Sequence, residues 1–191
     1  MNGERKIEDR MKGIDKILPW MQWDLLEESQ IEGMIEVYVD AGARKGEERM
    51  GIGRAYERNE SEWVLGNEKI PEQSSVNEAE LITIERVIEM WGMNENVRVI
   101  SDSAIAVERM KVARVKNKRV AMIQRMVEPR YERGARTEIL WRRGHRNDNL
   151  GNEKAHKAAT KGLRKDSISW NVRKMSSKND ERKTIKGWIM E

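Results

Sequence analysis

Three acidic residues far apart in the chain, Asp40 in VYVDAGA, Glu80 in NEAEL and Asp102 in VISDS, are followed by two histidines, His145 in WRRGH and His156 in GNEKAHKAA. Carboxylates gathered into one crevice repel one another, so such a group is stable chiefly when divalent cations occupy it. The constellation reads as a metal site that the two histidines complete. Asp40 and Asp102 each close an apolar run, and Glu80 lies near the start of a strongly patterned helix beside its apolar stripe. A carboxylate there needs a metal, a hydrogen-bond network or a buried partner.

The elements that must position these residues follow from patterning. Ile35, Val37 and Val39 alternate with polar neighbours, the period of a strand. A turn region with Gly42, Gly46 and Gly51 follows, then runs 51–57 and 62–70, which complete an antiparallel meander. Ser75-Val76-Asn77-Glu78 is a capping box, and Leu81, Ile84, Ile88 and Trp91 form the stripe of the helix it opens, broken at Gly92. Val97–Ile100 is a second central strand. The strand–helix–strand connection makes it parallel to the first, so Asp40 and Asp102 stand at the carboxyl ends of parallel strands, where open α/β sheets place their sites. Helices over 103–113 and 119–132, a strand over 137–141 and a last helix over 153–165 follow. Trp63 and Trp91 have spacing that suits core packing.

Residues 1–33 read as an arm, with a short amphipathic helix ended by Pro19 and an apolar patch at Trp20 and Trp23. Residues 34–165 read as one domain and 166–191 as a charged tail. The chain has 191 residues and no cysteine, which excludes disulfides and thiolate metal sites. Its N-terminus carries no apolar signal core and no stretch is apolar enough to span a membrane, so an intracellular, monomeric protein is expected. A net charge of +4 leans only weakly towards a polyanionic partner. Two local runs say more: Arg109 to Arg119, including Arg114, Lys116 and Lys118, and Arg142 to Arg146. Flanking a metal site, they point to phosphate contacts.

The element order β-β-β-α-β-α-α-β-α, with acids at three set points, resembles type I ribonuclease H. VYVDAGA with the later Gly51-Ile52-Gly53 resembles the first-strand motif, although Ala41 and Ala43 depart from the usual Asp-Gly-Ser. Ser75 to Leu81 is similar to the family's Thr-Asn-Asn-x-x-Glu-Leu, Ile100 to Ser103 to its Thr-Asp-Ser, Trp141 to His145 to its Gly-His loop, and Gly151-Asn152-Glu153 to the Gly-Asn-Glu of the last helix. The flanking Pro-Trp patch and basic tail are similar to ribonuclease H domains of non-LTR retrotransposon polyproteins, which would make a reverse transcriptase domain a covalent neighbour.

The resemblance implies a five-stranded mixed sheet of order 3-2-1-4-5 flanked by helices, and an endonuclease that cuts the RNA strand of RNA–DNA hybrids with two Mg²⁺ or Mn²⁺ ions. It implies that Asp40 bridges both ions, Glu80 and Asp102 hold the one nearer the leaving oxygen, and His145 assists proton transfer or product release. The family has Asp where this chain has His156, three residues after Glu153. His156 is either a ligand that favours Mn²⁺ or a plain surface residue. Strand contacts are expected from Gly42, Ala43 and Arg44, and from Ser75 and Asn77 on the DNA side, with the 109–119 run following phosphates. Three readings compete with the active enzyme: a hybrid-binding module with weakened catalysis, another nuclease such as an integrase or junction resolvase, and a dimer-forming structural domain.

Overall fold

The computed structural model describes residues 32–43, 50–70, 75–111, 116–142 and 150–166. The arm helix, Trp20, Trp23, Arg44, Arg114, His145 and the charged tail lie outside the described residues.

Five strands form one sheet in the order β3-β2-β1-β4-β5, the order expected. β1 (Ile35–Ala43), β2 (Met50–Asn59) and β3 (Glu62–Ile70) make the antiparallel meander. The β2–β3 turn is tight, and Ser61 takes a positive φ of 76° there. α1 (Val76–Met90) begins where the capping box places it, with the Ser75 hydroxyl accepting from the Glu78 N–H. β4 (Val97–Ser101) then pairs parallel to β1 and is buried along its whole length. α2 (Ala104–Met110) and α3 (Lys118–Glu132) follow, and Gly134, at φ 80°, ends the turn after α3. β5 (Thr137–Trp141) pairs parallel to β4, and α4 (Leu150–Leu163) closes the described chain.

The main core lies on one face of the sheet. Val37, Val39, Val97, Val99 and Ile139 meet the stripes of α1, α2 and α3 there, among them Leu81, Ile84, Ile88, Val107 and Ile123. Trp91 packs against this core, edge-on to Tyr56 at 5.1 Å between ring centroids. Arg130, 1% exposed, donates to the carbonyls of Trp91, Gly92 and Glu95 at 3.0, 2.7 and 2.6 Å in the turn that follows α1.

The other face carries α4, laid on β1 and β2 through small residues. Gly42 and Gly51 pair with each other inside the ladder and not in a turn. The helix accounts for Gly51 and Gly53: a Cβ on Gly51 would stand 2.1 Å from the Ala159 carbonyl oxygen, and one on Gly53 2.2 Å from that of Ala155. α4 also starts three residues before the expected 153. Gly151 lies in its first turn, where the Tyr38 ring fills the space a side chain would take.

Candidate active site

Asp40 and Asp102 occupy equivalent places. The parallel ladder between β1 and β4 ends at the pair Val39–Ser101, and each aspartate is the next residue along its strand. Asp40 itself lies within β1, which continues against β2 to Ala43; what it closes is the parallel half of the strand. Beyond the last rung the sheet opens. Glu80, one turn into α1, reaches this opening from the core side, and His156 on α4 reaches it from the other.

One carboxylate oxygen from each of Asp40, Glu80 and Asp102 lies within 4.8 Å of the others. Asp40 and Glu80 are buried, 6% and 5% exposed. At an effective dielectric near 20, unit charges at that distance repel by about 3 kcal/mol per pair, so on the order of 10 kcal/mol for full ionisation, comparable to the net stability of a domain. Protonation relieves it in the absence of a cation. Burial, then Asp40 and Asp102, push Glu80 up from an ordinary 4.5 to about 9. Burial and the Asp102 charge raise Asp40 as well, opposed by its contact with His156. The Glu80 Oε2 atom is buried without a hydrogen-bond partner, which is costly unless something else meets it. Three hard oxygen donors around an orphaned buried oxygen fit a divalent cation of the Mg²⁺ or Mn²⁺ kind.

The surroundings hold the carboxylates from several elements. The Ala41 N–H donates to Asp40 Oδ1 at 2.9 Å. His156 Nδ1 stands 2.7 Å from Asp40 Oδ2, with its side chain about half exposed. Asn152, one turn earlier on α4, donates to Asp102 Oδ2 at 3.4 Å. Trp141, the last residue of β5, donates its indole N–H to the Asp102 carbonyl at 3.0 Å. Asn152 and Trp141 had no separate role in the sequence reading. Their signal was membership of the Gly-Asn-Glu and Trp-x-x-Gly-His motifs.

The other expected residues that the structure describes hold places in their own elements. Ser75 caps α1, and Asn77 lies half-buried two residues into that helix. Gly42 is half-buried beside Leu163 and Ala159, and Ala43 is exposed. Lys116 is exposed and Lys118 half-buried at the start of α3. Arg119 departs from its run: it is 3% exposed and forms ion pairs with Glu78 and Glu85 of α1. It is a strut between helices and not a phosphate contact.

A five-stranded mixed sheet of this order, with acids from β1, the end of β4 and the intervening helix meeting at one opening, is a ribonuclease H-like α/β fold with an acidic site. Residues 32–164 match the RNase H family model, and the chain belongs to the RNase H family. No curated protein matches it. Asp40, Glu80 and Asp102 are thus the acidic cluster of an RNase H domain, in the position of its active site.

Proposed function

We propose that the chain hydrolyses the RNA strand of RNA–DNA hybrids at the crevice between β1 and β4. The observation that carries this is the three-carboxylate cluster with an orphaned buried oxygen on Glu80, in a chain of the RNase H family. Asp40, Glu80 and Asp102 would hold two divalent ions, Mg²⁺ or Mn²⁺, with His156 beside Asp40. When bound, such ions neutralise the carboxylates, acidify a water and stabilise charge on the leaving oxygen. The protein's part is to keep three acids in place from two strands and a helix. The Ala41 N–H and His156 orient Asp40, and Asn152 orients Asp102. His145 would assist proton transfer or product release. Backbone around Gly42, Ala43 and Arg44, with Ser75 and Asn77, would contact the strands, and Arg114, Lys116 and Lys118 would follow phosphates.

His156 supports a second reading, a hybrid-binding module with weak catalysis. Its imidazole adds no negative charge where the family carries an aspartate, and its Nδ1 is engaged with Asp40. On either reading Mn²⁺ suits the site better than Mg²⁺. The retrotransposon setting, with a reverse transcriptase as covalent neighbour, rests on the Pro-Trp patch and the basic tail of the sequence alone. A monomeric state and an intracellular location are read from composition in the same way. Among the described residues no helix is long and apolar enough to cross a membrane.

The test uses a hybrid with an end-labelled RNA strand. Cleavage is expected with Mn²⁺, more slowly with Mg²⁺, and not with duplex DNA. Asp102→Asn should abolish it, and undiminished cleavage by that variant would remove the assignment. His156→Asp should raise the Mg²⁺ rate relative to Mn²⁺; an unchanged ratio would make His156 a bystander.

A further inference from the structure

Asp40 has a neighbour on its own strand to which the proposed reaction gives no role. Tyr38 stands two residues earlier in β1, so both side chains lie on the face of the sheet that α4 covers. Three elements meet the Tyr38 side chain. The Trp63 ring of β3 lies against it, tilted by 56° at 6.0 Å between centroids. The Arg142 guanidinium, one residue past β5, donates to its hydroxyl at 3.1 Å. Gly151, in the first turn of α4, comes so close that a Cβ there would stand 2.3, 2.4 and 2.5 Å from the Cδ2, Cε2 and Cγ atoms of the ring. Glycine is a poor helix former, so the ring gives position 151 a reason for glycine that the helix does not. The ring cannot simply swing aside, because Cγ is among the blocked atoms and Arg142 holds the hydroxyl.

This contact lies beside the two that reach the acids. Asn152, the next residue of α4, donates to Asp102 Oδ2 at 3.4 Å, and His156, five residues after Gly151, has its Nδ1 2.7 Å from Asp40 Oδ2. Five residues of helix rise about 7.5 Å and two of strand about 6.6 Å. The Tyr38–Gly151 and Asp40–His156 contacts are therefore successive rungs between β1 and α4. The Asn152 bond is already long, and lifting the helix by a few tenths of an ångström would break it. Lys154, between Asn152 and His156, stands over the Trp63 ring at 5.7 Å, so the same aromatic pair meets the helix twice.

We propose that Tyr38 is a positioning residue of the active site. Its ring sets the height of α4 over β1, and so decides whether Asn152 reaches Asp102 and His156 reaches Asp40. The hydroxyl keeps the ring in that place through Arg142. Tyr38 acts on the reaction only through the acids, and the inference rests on the proposed hybrid cleavage for that last step alone.

The test begins with the metal-free full chain. It has two histidines, so its imidazole NMR signals are few, and His156→Asp identifies those of His156. Gly151→Ala should shift the His156 signals and weaken Mn²⁺ binding, measured by titration calorimetry, by about tenfold, the scale seen when groups that orient metal ligands are disturbed. On a labelled hybrid with Mn²⁺, kcat should fall by a similar factor with KM within about twofold, because the strand contacts are untouched. Tyr38→Ala removes the ring that the new methyl meets. The double variant Tyr38→Ala/Gly151→Ala should therefore bind Mn²⁺ more tightly than Gly151→Ala, a coupling that two independent structural losses would not give. Tyr38→Phe, which loses the bond from Arg142 and keeps the ring, should move the same signals in the same direction by less. Gly162→Ala is the control for strain alone. Its Cβ would stand 2.4 Å from the Glu68 carbonyl oxygen at the far end of α4, so it should lower the melting temperature and leave the His156 signals and Mn²⁺ affinity in place. Folded Gly151→Ala and Tyr38→Phe proteins with wild-type His156 signals and Mn²⁺ affinity would overturn the proposal, and so would an equal response to Gly162→Ala. A wild-type protein that cleaves no hybrid would overturn the proposed function alone, since the seating of α4 by Tyr38 is read without substrate.

Discussion

Glu80 is the residue at which burial, charge and chemistry meet. Its carboxyl is raised to about 9, so in the metal-free protein it stays protonated across the neutral range, whereas in the unfolded chain it ionises near 4.5. The native state therefore holds a proton that the unfolded state releases. Its contribution to stability is complete below 4.5 and is lost as pH rises towards 9. Chelator-treated protein should lose stability over that interval, by at most about 1.4 kcal/mol per pH unit from this group. Thermal or urea unfolding in EDTA at several pH values measures it. Glu80→Gln should flatten the slope, and added Mn²⁺ should remove this group's share of it, because a cation takes over the role of the proton and Glu80 is then ionised in both states. A slope that survives Glu80→Gln would place the titration elsewhere.

Two arginines govern how the helices stand. Arg130 satisfies three carbonyls after α1 and bonds Thr137 Oγ1 at 3.0 Å, so it ties α3, the end of α1 and β5 together. Arg130→Met should cost about 3–5 kcal/mol, because the carbonyls lose their donors inside the protein. Denaturant unfolding tests this, and a cost within a few tenths of a kcal/mol would show that water replaces the guanidinium. Little of this was visible in the sequence. The acids were legible because each stands where a strand or helix pattern breaks, and the sheet order because the motifs came in order. Arg119 read as part of a run that follows phosphates, and Arg130 carried no signal, since their partners lie 34 to 41 positions away. A hint existed for Arg119: Glu78 and Glu85 are seven residues apart, two turns of α1, on the side of its apolar stripe. The glycines of β1 and β2 read as a turn because a helix passing over them leaves no local mark. Gly53→Ala should cost at least about 2 kcal/mol through overpacking against Ala155 and Ala159, and circular dichroism melts would register it.

At the scale of the molecule, the described residues form one sheet with three helices on one face and one on the other, and the site sits where the two faces communicate through the opening between β1 and β4. On the proposed function, long-range attraction of the hybrid would come from outside that opening, from residues such as the exposed Lys116 just before α3. Lys116→Glu should weaken hybrid binding and reduce the slope of log affinity against log salt by about 1, without changing the metal preference. An unchanged slope in fluorescence anisotropy would remove Lys116 from the interface. The fourth helix has a different bearing. Its backbone lies so close over Gly51 and Gly53 that no side-chain carbon fits between helix and sheet. Position 156 is therefore offered to the acids on a fixed mount. If His156 acts as proposed, exchange of that single side chain would retune which cation the enzyme accepts while the rest of the scaffold stays as it is, so a lineage could drift between metal diets one codon at a time.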